Sequence, residues 1–184
     1  MRVHMDGARL ANAIVALGVE PAALTWRVGV DALSLGVTKC CGLDADVVVF
    51  FGDGAAQSYA ETFEIVRKRG GHLLSKMWAL SVQGIRALED GLWLRCAEHA
   101  NRMASRLAEG LSGIRSVELA EPVMTNELFV RVPPEVVVGM RRAGVRFHES
   151  GGSEGCEVRL VTSWATTPEE VDALCDLVRE LTSG

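Results

Sequence analysis

Two residues of opposite charge each follow a short apolar run in the first part of the sequence. Asp6 comes directly after the extended run 2–5, and Lys39 follows the strand-like run 30–35 and the tripeptide Gly36-Val37-Thr38. Because ligands of open α/β sheets bind outside the carboxyl ends of strands, both side chains are expected to face one crevice. A lysine there can form a Schiff base with a carbonyl cofactor, while an aspartate pairs with a cationic ring nitrogen. From position alone, a plain ion pair without any other role is the alternative.

The elements that must position these residues alternate between strand and helix. Extended runs at 2–5, 30–35 and 46–51 accompany a helix predicted over 8–17, which ends at Gly18. The run 46–51 (DVVVFF) has no polar residue after its first position. Such a run predicts a strand buried on both faces, as in a sheet covered by helices.

The rest of the chain predicts long helices and then a second unit with its own sheet. The predicted helices cover 53–69, 74–89, 92–111, 134–142 and a segment that begins at Thr167-Pro168. The predicted strands cover 117–119, 127–132, 145–148 and 157–162, the last two joined across a turn at 150–155. This order indicates a small α/β part, linking helices and an α+β unit.

Composition and charge exclude several classes of protein. Hydrophobic residues make up 48% of the chain before its 19 glycines are added, a larger apolar share than a disordered or fibrous chain has. The surplus is typical of an obligate oligomer or a piece of a larger protein. A net charge of −5 with mixed signs argues against a nucleic-acid partner. We expect neither a membrane span nor a signal peptide, and therefore a cytoplasmic protein.

The cysteines and histidines do not form a metal-binding or disulfide pattern. The five cysteines include no C-x-x-C pair and the four histidines are scattered, so we expect no metal site. Cys40 and Cys41 are interpreted as small apolar residues, with redox chemistry as the alternative. His72 and His148 are interpreted as surface or packing residues rather than catalytic bases.

Five segments resemble, in the right order, the low-specificity L-threonine aldolase family. They cover residues 4–13 (HMDGARLANA), 31–39 (DALSLGVTK), 67–77, 90–94 and 158–164. The combination of Asp-Gly-Ala-Arg with Thr-Lys at this spacing carries the resemblance most specifically. Members of that family are fold-type I enzymes that depend on pyridoxal phosphate.

The resemblance implies an α/β fold that corresponds to the C-terminal half of a fold-type I enzyme. Residues 1–75 would be the remnant of the cofactor-binding large domain. Residues 76–184 would be linking helices and a small α+β C-terminal domain. The implied reaction is aldol cleavage of L-threonine or L-allo-threonine to glycine and acetaldehyde. The implied partners are a small amino-acid substrate and either further copies in a homo-oligomer or a complementing N-terminal half.

The resemblance also implies roles for individual residues. Lys39 matches the lysine that binds the cofactor covalently, and Asp6 matches the acid that bonds the pyridine nitrogen. Arg9 matches an arginine near the cofactor ring, with a solvated first-turn arginine as the alternative. Arg159 matches the arginine that binds the substrate carboxylate, for which a planar fork of donors is well suited.

The sequence departs from the family pattern in ways that leave other readings open. Val37 and Cys40 stand where the family commonly has glycine and asparagine. Family chains are about twice as long, and their first half supplies the phosphate-binding loop, whereas the glycine-rich stretches 52–54 and 151–155 are interpreted here as turns. The alternatives are therefore a truncated chain with little activity of its own, or another fold-type I lyase that eliminates at Cβ. No residue is assigned as the catalytic base.

Overall fold

The structure, a computed structural model, describes residues 1–52, 54–152 and 155–183. By their internal contacts the residues form two compact units, Met1–Cys96 and Ala97–Gly184. The functional division after residue 75 concerns the roles of the two parts and stays a prediction.

The first unit contains a mixed sheet in the order β1-β2-β3. Strand β1 (His4–Gly7) pairs in parallel with β2 (Ala32–Gly36), and β2 pairs antiparallel with β3 (Asp46–Phe50). Helix α1 (Leu10–Leu17) lies between β1 and β2 in the sequence and provides the connection that parallel strands need. The carboxyl ends of β1 and β2 therefore lie side by side.

Helix α1 packs against one face of this sheet. Leu10 and Ile14, one turn apart on the helix, form a buried cluster with Leu33 and Leu35 of β2. The helix ends at Gly18, which adopts a left-handed φ of 63° and whose N–H bonds the carbonyl of Val15. The predicted end of this helix is confirmed.

Strand β3 confirms the run predicted at 46–51, but the prediction that it is buried on both faces is wrong. β3 is an edge strand of the described sheet, and Val48 is 37% exposed. On the same face Phe50 contacts Phe63 of α2 (Gly54–Arg69), with ring centroids 5.6 Å apart. An apolar run indicates that a strand packs against a hydrophobic core, but it does not show whether other segments of the described chain pack against both of its faces. The predicted helix start at Asp53 lies outside the described residues.

Two helices follow, α3 (Met77–Leu88) and α4 (Leu92–Ser112). Helix α3 begins three residues after the predicted position 74. Asp90 and Gly91, with φ of 51° and 67°, adopt left-handed conformations and separate the two helices. Among the described residues, none of the helices is both long and apolar enough to cross a bilayer.

The second unit has an antiparallel sheet in the order β4-β5-β7-β6. Its strands are β4 (Glu118–Leu119), β5 (Glu127–Val132), β6 (His148–Gly152) and β7 (Gly155–Val161). Alternate residues of β5 and β7 enter one core with side chains of α4, α5 (Pro134–Arg142) and α6 (Pro168–Ser183). The α+β unit predicted from the sequence is thereby confirmed.

Two details of this unit test the local sequence patterns. The predicted start of α6 is confirmed, because Thr167 Oγ1 accepts a hydrogen bond from the Glu170 N–H while Glu170 Oε2 accepts one from the Thr167 N–H. The strand predicted at 145–148 is wrong, because β6 begins only at His148 and continues through Gly151 and Gly152. Pairing with β7 provides hydrogen-bond partners for the backbone of these glycines, so the strand forms there without side chains. Ser153 and Glu154, within the predicted turn, lie outside the described residues.

Candidate active site

Asp6 lies at the carboxyl end of β1 and has an exposed carboxylate. Its Oδ1 accepts a hydrogen bond from the Ala8 N–H at 3.0 Å, which fixes the turn after the strand. That turn contacts the end of β2 directly, because a Cβ added to Gly36 would lie 2.6 Å from Ala8 Cα. A side chain at Gly36 would therefore separate the two strand ends. The glycine keeps Asp6 close to the segment that leads to Lys39.

Lys39 is exposed in a tight turn that follows β2. The carbonyl of Val37 accepts hydrogen bonds from the N–H groups of Cys40, Cys41 and Gly42 at 3.1, 3.1 and 2.9 Å. Val37 is only 3% exposed, and its φ lies outside the left-handed region, so the valine fits where the family often has glycine. The turn presents the Lys39 amine to solvent just beyond the strand end.

Thr38 closes the same turn through its hydroxyl group. Thr38 Oγ1 donates to the Ala45 carbonyl at 3.2 Å and accepts from the Ala45 N–H at 2.9 Å. Gln83 of α3 adds a second link, because its Oε1 accepts from the Leu43 N–H at 2.9 Å. Sequence reasoning assigned neither residue a role, since each acts through a partner that no motif identifies.

The cysteines next to Lys39 contact the first turn of α4. Cys40 is buried and its Sγ donates a hydrogen bond to the Trp93 carbonyl at 3.0 Å. Burial, together with neighbouring Cys41 and Cys96, raises the pKa of the Cys40 thiol to about 12. Burial likewise raises the pKa of Cys96. A neutral, buried thiol is a packing group rather than a nucleophile.

Further polar groups lie near Asp6 on the first unit. Ser34 is the register partner of Asp6 across β1 and β2, and its Oγ lies 2.9 Å from His4 Nε2. Arg9 is half-buried at the N-cap position of α1, two residues after Gly7. Its predicted role beside a cofactor ring stays a prediction.

Arg159 lies in the middle of β7, in the second unit. Its register partners are Phe129 on β5 and His148 on β6. Arg159 Nη1 lies 3.5 Å from Glu127 Oε1, and the two side chains are 34% and 20% exposed. Within the described part of the chain, Arg159 Nε is buried and has no hydrogen-bond partner. Sequence reasoning identified Arg159 but not Glu127, whose proximity depends on the pairing of β5 with β7.

Comparison with known proteins places this arrangement in a family. The sequence profile described as beta-eliminating lyase matches residues 1–134. The chain belongs to the beta-eliminating lyase family. Enzymes of this family depend on pyridoxal phosphate, and the resemblance predicted from the sequence segments is confirmed.

The curated proteins that are similar to this chain include threonine aldolases. The chain is 38% identical over 184 residues to the low specificity L-threonine aldolase of a Pseudomonas species, and 37% identical over 179 residues to that of Pseudomonas aeruginosa. These matches cover 100% and 97% of this chain but 51% and 50% of the relatives. The chain thus spans about half the length of the curated relatives it matches.

Solved structures agree with this assignment and with the predicted fold. The threonine aldolase of Leishmania major matches with a TM-score of 0.82 at 25% identity, over 99% of this chain and 52% of that one. Mouse CSAD matches with a TM-score of 0.68 at 11% identity, over 99% of this chain and 46% of that one, which shows the fold alone. The expectation of an α/β fold that corresponds to half of a fold-type I enzyme is confirmed.

The polar groups at the ends of β1 and β2 fit the two reactive ends of pyridoxal phosphate. The exposed Asp6 carboxylate suits a protonated ring nitrogen, and the exposed Lys39 amine suits an aldehyde. The two glycine-rich segments differ in their setting, because Gly52 lies in a bend and Gly54 begins α2, whereas Gly151 and Gly152 lie in the strand β6.

Proposed function

We propose that this chain is the lysine-bearing part of a pyridoxal-phosphate-dependent enzyme that cleaves L-threonine or L-allo-threonine to glycine and acetaldehyde. The observation that supports it best is the parallel pairing of β1 and β2, because the strand end with Asp6 lies beside the strand end that leads to Lys39. The names of the two Pseudomonas relatives support the choice of substrate.

Each proposed site residue has one task. When bound, pyridoxal phosphate supplies an aldehyde for amine exchange and a ring that withdraws electrons from the substrate Cα. Lys39 would hold the cofactor through Nζ, at its aldehyde group. Asp6 would accept a hydrogen bond from the ring N–H and so favour the protonated ring. Arg9 would be placed beside the ring, and Arg159 would bind the substrate carboxylate.

We propose that the 184 residues alone bind the cofactor weakly. The hydroxyl of Thr38, next to Lys39, is already engaged with Ala45. The curated relatives contain about twice as much chain, and we assign the phosphate contacts to that additional part. Each missing charge-assisted hydrogen bond is worth about 1.5–3 kcal/mol, so several together weaken binding by orders of magnitude.

The setting of the reaction forms part of the same proposal. The five cysteines are all unpaired, which is typical of a reducing compartment and supports the cytoplasm. Trp78, Val82 and Ile85 form an apolar stripe on α3 and are 67%, 53% and 59% exposed. Such a stripe supports association with another copy or with a complementing chain. In this setting the enzyme contributes to threonine breakdown and glycine formation.

A second candidate function is elimination at Cβ of a different amino acid. The description of the matching family as beta-eliminating lyase favours it. Asp6 and Lys39 would perform the same tasks in either reaction. The products differ, because threonine cleavage releases acetaldehyde and glycine, whereas elimination from serine releases pyruvate and ammonia.

The test is to measure both sets of products with the 184-residue chain, alone and co-expressed with the preceding half of a Pseudomonas relative. We expect acetaldehyde from the co-expressed pair, little from the chain alone, and none from Lys39→Ala. The exposed helix residue Lys68 offers a matched control, and Lys68→Ala should retain the activity. After borohydride reduction, mass spectrometry should find the cofactor on the peptide that contains Lys39. Full activity of Lys39→Ala would overturn the proposal, and pyruvate from serine would favour the second candidate.

A further inference from the structure

A carboxylate stands beside Arg159 on the face of the second sheet opposite the core. In β5 and β7 the residues Leu128 and Leu160 point into the core, so Glu127 and Arg159 lie on the other face. Glu127 pairs in register with Val161, two residues beyond Arg159, and therefore meets the guanidinium diagonally. The two side chains approach through Glu127 Oε1 and Arg159 Nη1, 3.5 Å apart.

Both members of this pair are largely withdrawn from water. The Glu127 side chain is 20% exposed and the Arg159 side chain is 34% exposed. A carboxylate with so little solvent requires a positive charge nearby, and a guanidinium next to it is restrained in orientation. Glu127 therefore fixes the side of Arg159 that carries Nη1.

A second arginine shows what a closed arginine–carboxylate pair looks like in the same unit. Arg106 donates to Asp172 through both Nε, at 2.9 Å, and Nη2, at 2.7 Å. That pair uses the planar fork completely, and both side chains are about half exposed, at 48% and 54%. Because Nε and Nη2 of Arg106 both donate to Asp172, this side of the guanidinium cannot bind a second carboxylate.

The Arg159 pair lacks this closure. The ion pair of Arg159 with Glu127 is formed through Nη1, at a distance longer than that of a charge-assisted hydrogen bond. Arg159 Nε has no hydrogen-bond acceptor among the residues that the structure describes, although it is buried. A buried donor without a partner is unfavourable unless a ligand supplies the acceptor. The guanidinium is thus oriented by one carboxylate and retains donors for another.

We propose that Glu127 is a positioning residue that orients the Arg159 guanidinium for the carboxylate of the amino-acid substrate. This inference rests on the proposed function, in which Arg159 binds that carboxylate. Glu127 does not touch the reacting atoms, so its effect is on substrate affinity. It also neutralises Arg159 before substrate binds, which keeps a half-buried guanidinium from standing uncompensated in the strand.

The test compares Glu127→Gln and Glu127→Ala with Glu157→Gln in the active co-expressed assembly. Glu157 is a matched control, because it lies on the same face of β7 but has its ion pair with Arg131, at 3.8 Å. We expect Glu127→Ala to raise KM for threonine about tenfold, with kcat changed by less than about twofold. Glu127→Gln should have a smaller effect, since its amide oxygen keeps a partial negative charge next to Nη1. Glu157→Gln should leave both constants unchanged.

A measurement without activity separates this inference from the proposed function. In the full 184-residue chain, the Nε–H resonance of Arg159 is assigned by its loss in Arg159→Lys and is followed while glycine is added. We expect a glycine-dependent shift of this resonance in the wild type and in Glu157→Gln, and a smaller shift in Glu127→Gln. The glutamine variant conserves the side-chain volume of Glu127, so it keeps the test available if the alanine variant fails to fold.

The outcomes are distinguishable. If Arg159→Lys raises KM while Glu127→Gln and Glu127→Ala behave as the wild type does, Glu127 has no positioning role and the proposed function stands. If Arg159→Lys itself leaves KM unchanged and glycine does not shift the wild-type resonance, the proposed role of Arg159 is wrong. A Glu127 effect on kcat alone, with unchanged KM, also overturns the inference.

Discussion

The two units of this chain bury very different amounts of apolar side chain. In the second unit, one core cluster includes residues from α4, α5, α6, β5 and β7. In the first unit, the cluster beneath the sheet consists of Leu10, Ile14, Leu33 and Leu35. Asp6 and Lys39, which are proposed to hold the cofactor, belong to the first unit, whereas Arg159 belongs to the second. The proposed cofactor chemistry is therefore attached to the part of the chain with less packing to keep it rigid.

The most severe test of this comparison is to remove one large side chain from each unit. Leu128 is fully buried, so Leu128→Ala should lower the free energy of unfolding by about 2–5 kcal/mol. Val48, 37% exposed on the first sheet, is the counterpart, and Val48→Ala should cost less than about 1 kcal/mol. Urea unfolding followed by circular dichroism measures both values. Equal losses from the two substitutions would contradict the comparison.

A second test adds a single methyl group to the first unit. Gly36→Ala would bring a Cβ within 2.8 Å of the Ala8 carbonyl oxygen, so the turn after Asp6 must move. We expect a loss of stability of about 1–3 kcal/mol, together with weaker retention of pyridoxal phosphate in the active assembly. Thermal unfolding and the absorbance of the bound cofactor report the two effects.

Gly113 of the second unit provides the control for this substitution. A Cβ at Gly113 would meet no atom within 4 Å, so Gly113→Ala should leave cofactor retention unchanged. If Gly36→Ala behaved in the same way, the close approach of the two strand ends would not matter for the site.

The smallest expected effect concerns the pH dependence of the first unit. Burial raises the pKa of Cys40 to about 12 from its usual 9.0, so the folded chain keeps the thiol neutral where the unfolded chain ionises it. The stability that the neutral Cys40 thiol contributes to the folded chain is therefore fully present below pH 9, and it is lost progressively as the pH rises from 9 towards 12. The urea midpoint should therefore fall more between pH 8 and pH 10 in the wild type than in Cys40→Ala. Identical decreases in the two proteins would show that Cys40 is not the group responsible.

The sequence predicted most of the elements, because their signals are local. The alternation of Glu127 to Val132 has the period of a half-buried strand, and the observed β5 has these bounds. The signal for the start of α6 is equally local, because the reciprocal hydrogen bonds between Thr167 and Glu170 lie within four consecutive residues. Signals of this kind depend only on neighbours in the chain.

What the sequence did not predict depends on pairing between distant segments. Glu127 meets Arg159 only because β5 pairs with β7 in one register, and a shift by one residue would move it to the other face. Thr38 bonds Ala45 only because the intervening turn closes. The exposure of β3 depends on which segments cover it, and the run 46–51 contains no information about those segments.

The contact between Gly36 and the turn at Ala8 also limits how this sequence can change over time. A Cβ at Gly7 would lie 2.9 Å from the Ser34 carbonyl oxygen, so both glycines are required by the backbone of the fold itself. Selection would therefore retain them in a descendant that had lost its reaction, whereas the exposed Lys39 would be free to drift. In any lineage of this chain, the fate of Lys39 reports on catalysis, and the fate of the two glycines reports only on folding.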